Sequence, residues 1–361
     1  MRLFKCQNCG NLVYFENTTC ERCSHRLGYL PALAAISALD PADDGWTALA
    51  DDHRRYRQCG NAQHDACNWL IPLDSADTLC VACVHNHVIP DIAQPSNLFA
   101  WRKMEWAKHR LFYSLLKLGL PTPTRGEGDE GLAFDFLADP AQAGQPQVMT
   151  GHDNGLITLA LHEADDAERA RRREAMGEPY RTLLGHFRHE VGHFYWDRLV
   201  RDGGHLASCR AAFGDDTQDY AAALQRHYAE GVPANWQGRF ISAYATTHPW
   251  EDFAETWAHY LHIVDTLETA QSFGITVEPP ATHDSDLVAK IDFDPYHAPS
   301  ARMLVDDWLP LSFAVNSLNR SMGQPDLYPF ILSAPVIDKL QFIHELIQGE
   351  LPGRASGRMT A

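Results

Sequence analysis

Apolar positions change their rhythm near residue 95 of this 361-residue chain. Before it, short runs such as Leu12-Val13-Tyr14-Phe15 alternate with turn residues, which suits small β-hairpins. After it, helical spacing takes over. Trp101, Met104, Leu111, Leu115 and Leu118 fall on one face and predict a helix over 97–118, ended by the Pro-Thr-Pro-Thr-Arg-Gly stretch at 121–126. Residues 132–137 alternate as a strand, and 148–150 and 156–161 flank an Asn154-Gly155 pair that marks a hairpin turn. The stretch 163–176 is polar nearly all round and predicts a solvated helix. A helix over 180–201 follows, stopped by Gly203-Gly204, and further helices are expected at 217–229, 249–267, 301–318 and 336–348. The pattern predicts an α+β chain: a small-β domain over 1–95, then a mostly helical domain with a small sheet over 96–361.

Cysteine placement gives the first domain its chemistry. Eight of the nine cysteines lie in the first 83 residues. Nothing resembling a secretory leader precedes Cys6, so a disulfide framework is not expected and close CxxC pairs read as metal knuckles. Cys6, Cys9, Cys20 and Cys23 form two such knuckles, able to hold one Zn²⁺ tetrahedrally. Cys59, Cys67, Cys80 and Cys83 are the expected second set, with His64, His85 and His87 as substitute ligands and a cross-braced pairing of the two sets as the alternative. Cys209 stands alone and reads as a small buried hydrophobe.

Charge bears on partners. The formal net charge is −17, and two four-thiolate zinc sites would lower it by about four more. Such a surface should repel nucleic acid, and the mild positive balance of Arg2, Lys5, Arg22 and Arg26 is no basic run with interleaved aromatics. The expected role of the ribbons is structural or the docking of a protein partner. With 45% apolar residues a sizeable core can form, yet no apolar run reaches membrane-spanning length. The expectation is a cytoplasmic protein with no membrane and no nucleic-acid partner.

The segment His189-Glu190-Val191-Gly192-His193 is an HExxH motif. On a helix, positions i and i+4 share a face, so both histidines can point at one metal with Glu190 beside them to activate water. The extended form of the motif would need Gly at 196 and His at 199; the chain has Trp196 and Leu199. Downstream, His248-Pro249-Trp250-Glu251-Asp252-Phe253-Ala254-Glu255 opens a helix at Pro249. Glu251 and Glu255 share a face. Glu251 is the expected third ligand and Glu255 the carboxylate holding the far nitrogen of a ligand histidine. Asp252 is rotated roughly 100° away and is the weaker candidate.

These motifs together resemble the gluzincin peptidases, and the whole chain resembles the zinc-binding metallopeptidases of bacteria that carry an N-terminal zinc ribbon. The resemblance includes the knuckles, Gly177-Glu178-Pro179-Tyr180-Arg181, the HEVGH helix, the Glu251 helix and Asn316-Ser317-Leu318-Asn319-Arg320-Ser321-Met322. It implies a peptidase fold with one catalytic zinc besides the two structural ones. Toxin-type gluzincins place an oxyanion-stabilising tyrosine seven residues before the third ligand, here Tyr244. The expected substrate is a peptide, a protein or an amide-linked conjugate, and a strand within 156–161 is a candidate edge for binding an extended peptide. Two other readings stand beside it: a ribbon-based protein- or nucleic-acid-binding adaptor with an inactive peptidase fold, and a non-peptide amidase or deconjugase.

Overall fold

A computed structural model describes residues 1–126, 131–140, 147–169, 171, 182–280 and 285–351. The chain divides into two compact units, Met1–Arg169 and Ala170–Ala361. The first is strand-rich and the second largely helical, which makes the protein α+β.

The first unit begins with a small antiparallel pair, β1 (Phe4–Lys5) and β2 (Leu12–Val13). Gly10, at φ 72°, makes the tight return between them, and its N–H donates to the Cys6 carbonyl at 2.8 Å. A five-stranded antiparallel sheet follows in chain order: β3 (Arg26–Leu30), β4 (Ala35–Ala42), β5 (Gly45–Ala48), β6 (Asp51–Gln58) and β7 (Leu70–Pro72). Leu30, Leu39, Ala48, Tyr56 and Leu70 form its core. Beside it Phe15, Tyr29, Trp69 and Tyr113 pack with ring centroids 4.7–6.2 Å apart, which ties helix α1 (Pro95–Lys117) to the sheet through Tyr113.

A second sheet in this unit has the order β10 (Gly151–Asp153), β11 (Leu156–Ala160), β9 (Ala133–Leu137), β8 (Asn86–Val88). The hairpin turn sits at Asn154 and Gly155, with φ 45° and 84°, the paired left-handed geometry that Asn-Gly favours. Its first strand is Gly151–Asp153 rather than 148–150. The strand expected as a peptide-binding edge is interior: β11 pairs with β10 on one side and with β9 on the other, so its ladder is already used. Leu161–Ala164 forms a 3₁₀ turn and 166–169 is helical. Residue 171 is helical too; residues 170 and 172–176 of the helix expected over 163–176, and the segment 177–181, lie outside the described residues.

In the second unit, α2 (Leu183–Tyr195) starts at Thr182, whose hydroxyl accepts the Gly185 N–H at 2.9 Å. It widens into a π-helical turn, Trp196–Arg201. A helix that the sequence pattern did not announce, α3 (Leu206–Phe213), precedes α4 (Tyr220–Glu230) and α5 (Pro249–Phe273). The strand pair β12 (Thr276–Val277) and β13 (Ala289–Lys290) and the helices α6 (Ala301–Ser321) and α7 (Ala334–Gln348) complete it.

Helix α5 is buried along most of its length, with Phe253, Trp257, Leu261, Val264 and Leu267 inaccessible. It crosses α2 at Gly192. A Cβ there would lie 3.0 Å from the Ala254 Cα, so only glycine allows this approach without a shift. Tyr195 stacks on Trp257 at 4.9 Å just beyond the crossing. Asn316 braces the chain after α6: its amide donates to the Tyr328 carbonyl at 2.9 Å and accepts the Tyr328 N–H at 3.0 Å.

Candidate active site and cysteine clusters

Helix α2 carries His189, Glu190 and His193, and the first turn of α5 carries Glu251. His248 starts α5. Its Nδ1 accepts the Trp250 N–H at 3.1 Å, and its Nε2–H donates to the Gln218 carbonyl at 3.1 Å. With Pro249 in the first helical position, this cap fixes where Glu251 enters. The close crossing at Gly192 then brings the two helices' polar atoms together. His189 Nε2 and His193 Nε2 are 3.2 Å apart and stand 3.0 and 3.4 Å from Glu251 Oε2.

These separations match donor atoms around one ion. Ligands ~2.0–2.2 Å from a tetrahedral zinc lie roughly 3.3 Å from one another. The tautomer agrees. His189 Nδ1 donates to Glu255 Oε1 at 2.6 Å, which leaves the Nε2 lone pair facing the centre. Glu251 Oε2 is buried and accepts no hydrogen bond from a conventional donor. An isolated carboxylate oxygen in that position is costly unless a cation is present. The residues therefore fit a zinc ion.

The surrounding electrostatics follow from the same contacts. Burial pushes Glu255 up, but the hydrogen bond and charge of His189, with His259 and Ser242, outweigh it and hold the carboxyl at about 2. Ser242 Oγ donates to Glu255 Oε2 at 2.5 Å and accepts the Ala245 N–H, anchoring the turn Tyr244–Thr246. Burial likewise pushes Glu251 up, and the charge of His193 with the facing nitrogens of both histidines holds it well below the usual range. Burial lowers His189, but Glu251 and Glu255 raise it well above an ordinary imidazole. Tyr244 stands with its ring centroid 5.9 Å from that of His189, its hydroxyl raised by burial and by Glu251. Trp250 stacks on His193 at 3.6 Å. Asp252 turns away from the centre: its carboxylate accepts from Lys339 Nζ at 2.6 Å.

Sequence reasoning missed Tyr220, whose hydroxyl donates to Glu251 Oε1 at 2.7 Å. It lies outside every motif, and no pattern in the chain pairs it with position 251.

In the first unit the cysteines gather as two separate sets, in chain order rather than cross-braced. In the first, Cys6–Cys23 and Cys9–Cys20 sulfurs are 3.6 Å apart. Sulfurs ~2.3 Å from zinc would be about 3.8 Å apart. The second turn of this site uses Ser24 at φ 60° where the first uses Gly10. Hydrogen bonds from Asn8 and the His25 backbone lower Cys23 to about 5, favouring the thiolate that zinc requires. In the second set Cys67 and Cys80 are 3.7 Å apart, and all four sulfurs are buried.

The substitute histidines do not join it. His85 Nδ1 donates to the Leu132 carbonyl at 2.8 Å, His87 pairs with Asp135 at 2.7 Å, and His64 packs edge-on to Trp101. The histidine at this cluster is instead His109 of α1, with Nε2 3.2, 3.9 and 3.5 Å from the sulfurs of Cys67, Cys80 and Cys83. Cys209 is buried and pushed up to about 12 by that burial.

Comparisons with known proteins bear on both units. Residues 97–346 match the model of a family described as "putative zinc-binding metallo-peptidase", and residues 3–94 match a zinc-ribbon domain. The chain belongs to this metallopeptidase family. Uncharacterised proteins of Mycobacterium bovis and of two strains of Mycobacterium tuberculosis are each 43% identical to it over 355 residues, covering 98% of this chain and 97% of theirs. No solved structure matches. Among the described residues, no helix of this metallopeptidase-family chain is long and apolar enough to cross a membrane.

Proposed function

We propose that the protein is a gluzincin-type zinc peptidase that hydrolyses a peptide or other amide bond with water. The observation that carries this reading is the convergence of His189 Nε2, His193 Nε2 and Glu251 Oε2 within 3.4 Å of one another, beside Glu190 on the same helix. Membership of the metallopeptidase family supports it.

His189, His193 and Glu251 would hold the catalytic zinc. When bound there, zinc supplies a Lewis acid that activates water and polarises the scissile carbonyl. Glu190, half-buried and free of the ligand set, takes the proton of the attacking water and returns it to the leaving amine. Glu255 holds His189 in the tautomer whose Nε2 faces the centre, and Ser242 steadies Glu255 from behind. Tyr244 donates to the oxygen of the scissile carbonyl as charge develops on it. The two four-cysteine clusters would hold structural zinc. The substrate is a peptide, a protein or an amide-linked conjugate.

The test is a peptide-library and conjugate-cleavage screen run on wild type, Glu190→Gln and Glu251→Ala. Glu190→Gln should keep its metal and lose roughly 10²–10⁴-fold in turnover. Glu251→Ala should lose the metal of this centre. A Glu190→Gln chain that cleaves as fast as wild type would remove Glu190 from the chemistry. Absence of any cleavage by zinc-loaded wild type would favour the adaptor reading.

A further inference from the structure

Glu251 presents its two oxygens to different surroundings. Oε2 faces the two histidine nitrogens at 3.0 and 3.4 Å. Oε1 accepts the Tyr220 hydroxyl at 2.7 Å, an ordinary strong hydrogen bond to a carboxylate. A carboxylate can ligate through one oxygen or through both. The second mode fills an additional position on the metal, and a hydrogen bond that holds Oε1 opposes it. Catalytic zinc sites combine three protein donors with an open position for water or substrate, so the mode of this one carboxylate matters.

The fold delivers Tyr220 to this place deliberately. It is the first residue of α4, whose cap Asp219 accepts the Ala222 N–H at 2.9 Å. Only Ala223 of that helix is buried, so apolar packing does little to seat it. Polar tethers do so instead. His248, the cap of the Glu251 helix, donates to the Gln218 carbonyl two residues before Tyr220. At the other end Thr246 and His227 are 3.3 Å apart. The Tyr220 ring stands 5.5 Å from His248 and 5.9 Å from Trp250, both edge-on. Tyr220 is thus registered against the same turn of α5 that carries Glu251.

We propose that Tyr220 is a positioning residue that fixes Glu251 as a one-oxygen ligand and keeps a coordination position of the metal open. This rests on the reading of Glu251 as a ligand and goes beyond it. Tyr220 and Tyr244 then have separate tasks. Tyr220 acts through the ligand, and Tyr244 meets the reacting carbonyl.

The experiment uses the full chain with its cysteine clusters zinc-filled and Co²⁺ as the probe in the histidine–glutamate centre. Four-coordinate cobalt absorbs far more strongly in the visible than five- or six-coordinate cobalt. Wild type should show the intense four-coordinate spectrum. Tyr220→Phe keeps the ring contacts and removes only the hydroxyl. Its spectrum should weaken toward higher coordination, and its Co²⁺ affinity should fall by roughly 10–100-fold. A Tyr220→Phe chain with the wild-type spectrum and affinity would overturn the proposal. Glu251→Ala is read separately: if it retained the wild-type cobalt spectrum, the ligand reading itself would fall, whatever Tyr220 does. Should Tyr220→Phe not fold, wild type still decides. The carboxylate stretches assigned to Glu251 by infrared difference against Glu251→Ala are widely split for one-oxygen ligation. A narrow splitting would sink the proposal.

Discussion

Glu255 is one residue through which the protonation of the candidate site reaches stability. It accepts from His189 Nδ1, the nitrogen turned away from the centre, and its carboxyl is held at about 2 against an ordinary 4.5. A carboxylate depressed in the folded state contributes stability above its unfolded pKa and loses it as the pH falls toward the folded one. The metal-free protein should therefore lose stability progressively between about pH 4.5 and 2, and Glu255→Ala should flatten that acid limb. Denaturant midpoints measured across this range for both chains would show it; an equally steep limb in Glu255→Ala would assign the acid loss elsewhere. The same substitution should weaken metal binding at this centre roughly 10–100-fold without abolishing it. At this scale the sequence was readable where candidate ligands lie a few residues apart on one helix, as His189 and His193 do. It was silent where partners meet only through tertiary packing. Tyr220 is 31 positions from Glu251, and His109 is 42 from Cys67. Neither separation leaves a periodic trace.

Between elements, the decisive contact is the crossing of α2 and α5. Gly192 sits between the two histidines of HEVGH, and its place on the helix surface faces the Ala254 backbone and the Trp257 Cβ. An added Cβ would stand 3.0 Å from the Ala254 Cα, 3.3 Å from its carbonyl oxygen and 3.3 Å from Trp257 Cβ. None of these is the end of a flexible side chain. Gly192→Ala should force the helices apart by a few tenths of an ångström, costing ~1–3 kcal/mol by overpacking despite alanine's better helix propensity. The widened crossing should also loosen the metal, since the histidines and Glu251 lie on opposite sides of it. Thermal unfolding and zinc affinity measured on the same sample test this; a more stable, equally tight Gly192→Ala chain would refute it. The helices α1, α2, α4, α5, α6 and α7 were legible because their apolar spacing and caps are local, whereas the short α3 was not. The five-stranded sheet was not. In β6, Asp-Asp-His-Arg-Arg-Tyr-Arg-Gln, only Tyr56 is buried, and the strand exists because β5 and β7 pair with it on both sides. For β11 the sequence correctly marked a strand, but which neighbours flank it depends on β9, almost twenty residues earlier, pairing in parallel.

At the scale of the whole molecule, the proposed assignment of two structural zinc sites and one catalytic site predicts a graded response to metal removal. Each cysteine cluster offers four sulfurs, which close a tetrahedral zinc completely. The histidine–glutamate centre offers three donors, so a tetrahedral zinc held there would have one position left for exchange. Purified protein should carry about three zinc ions per chain, and a mild chelator should remove the one held by His189, His193 and Glu251 first. Hydrolysis should stop at that stage, while the strand-rich unit keeps its structure, because burial of Cys59, Cys67, Cys80 and Cys83 shields the second cluster and the knuckle turns enclose the first. Only stronger chelation or thiol modification should then unfold the first unit, since zinc binding to such ribbons is folding free energy. Elemental analysis alongside circular dichroism follows both steps. Finding that the cysteine-held zinc leaves before activity is lost, or that a folded sample holds one zinc or fewer, would contradict the assignment of two structural sites and one catalytic site.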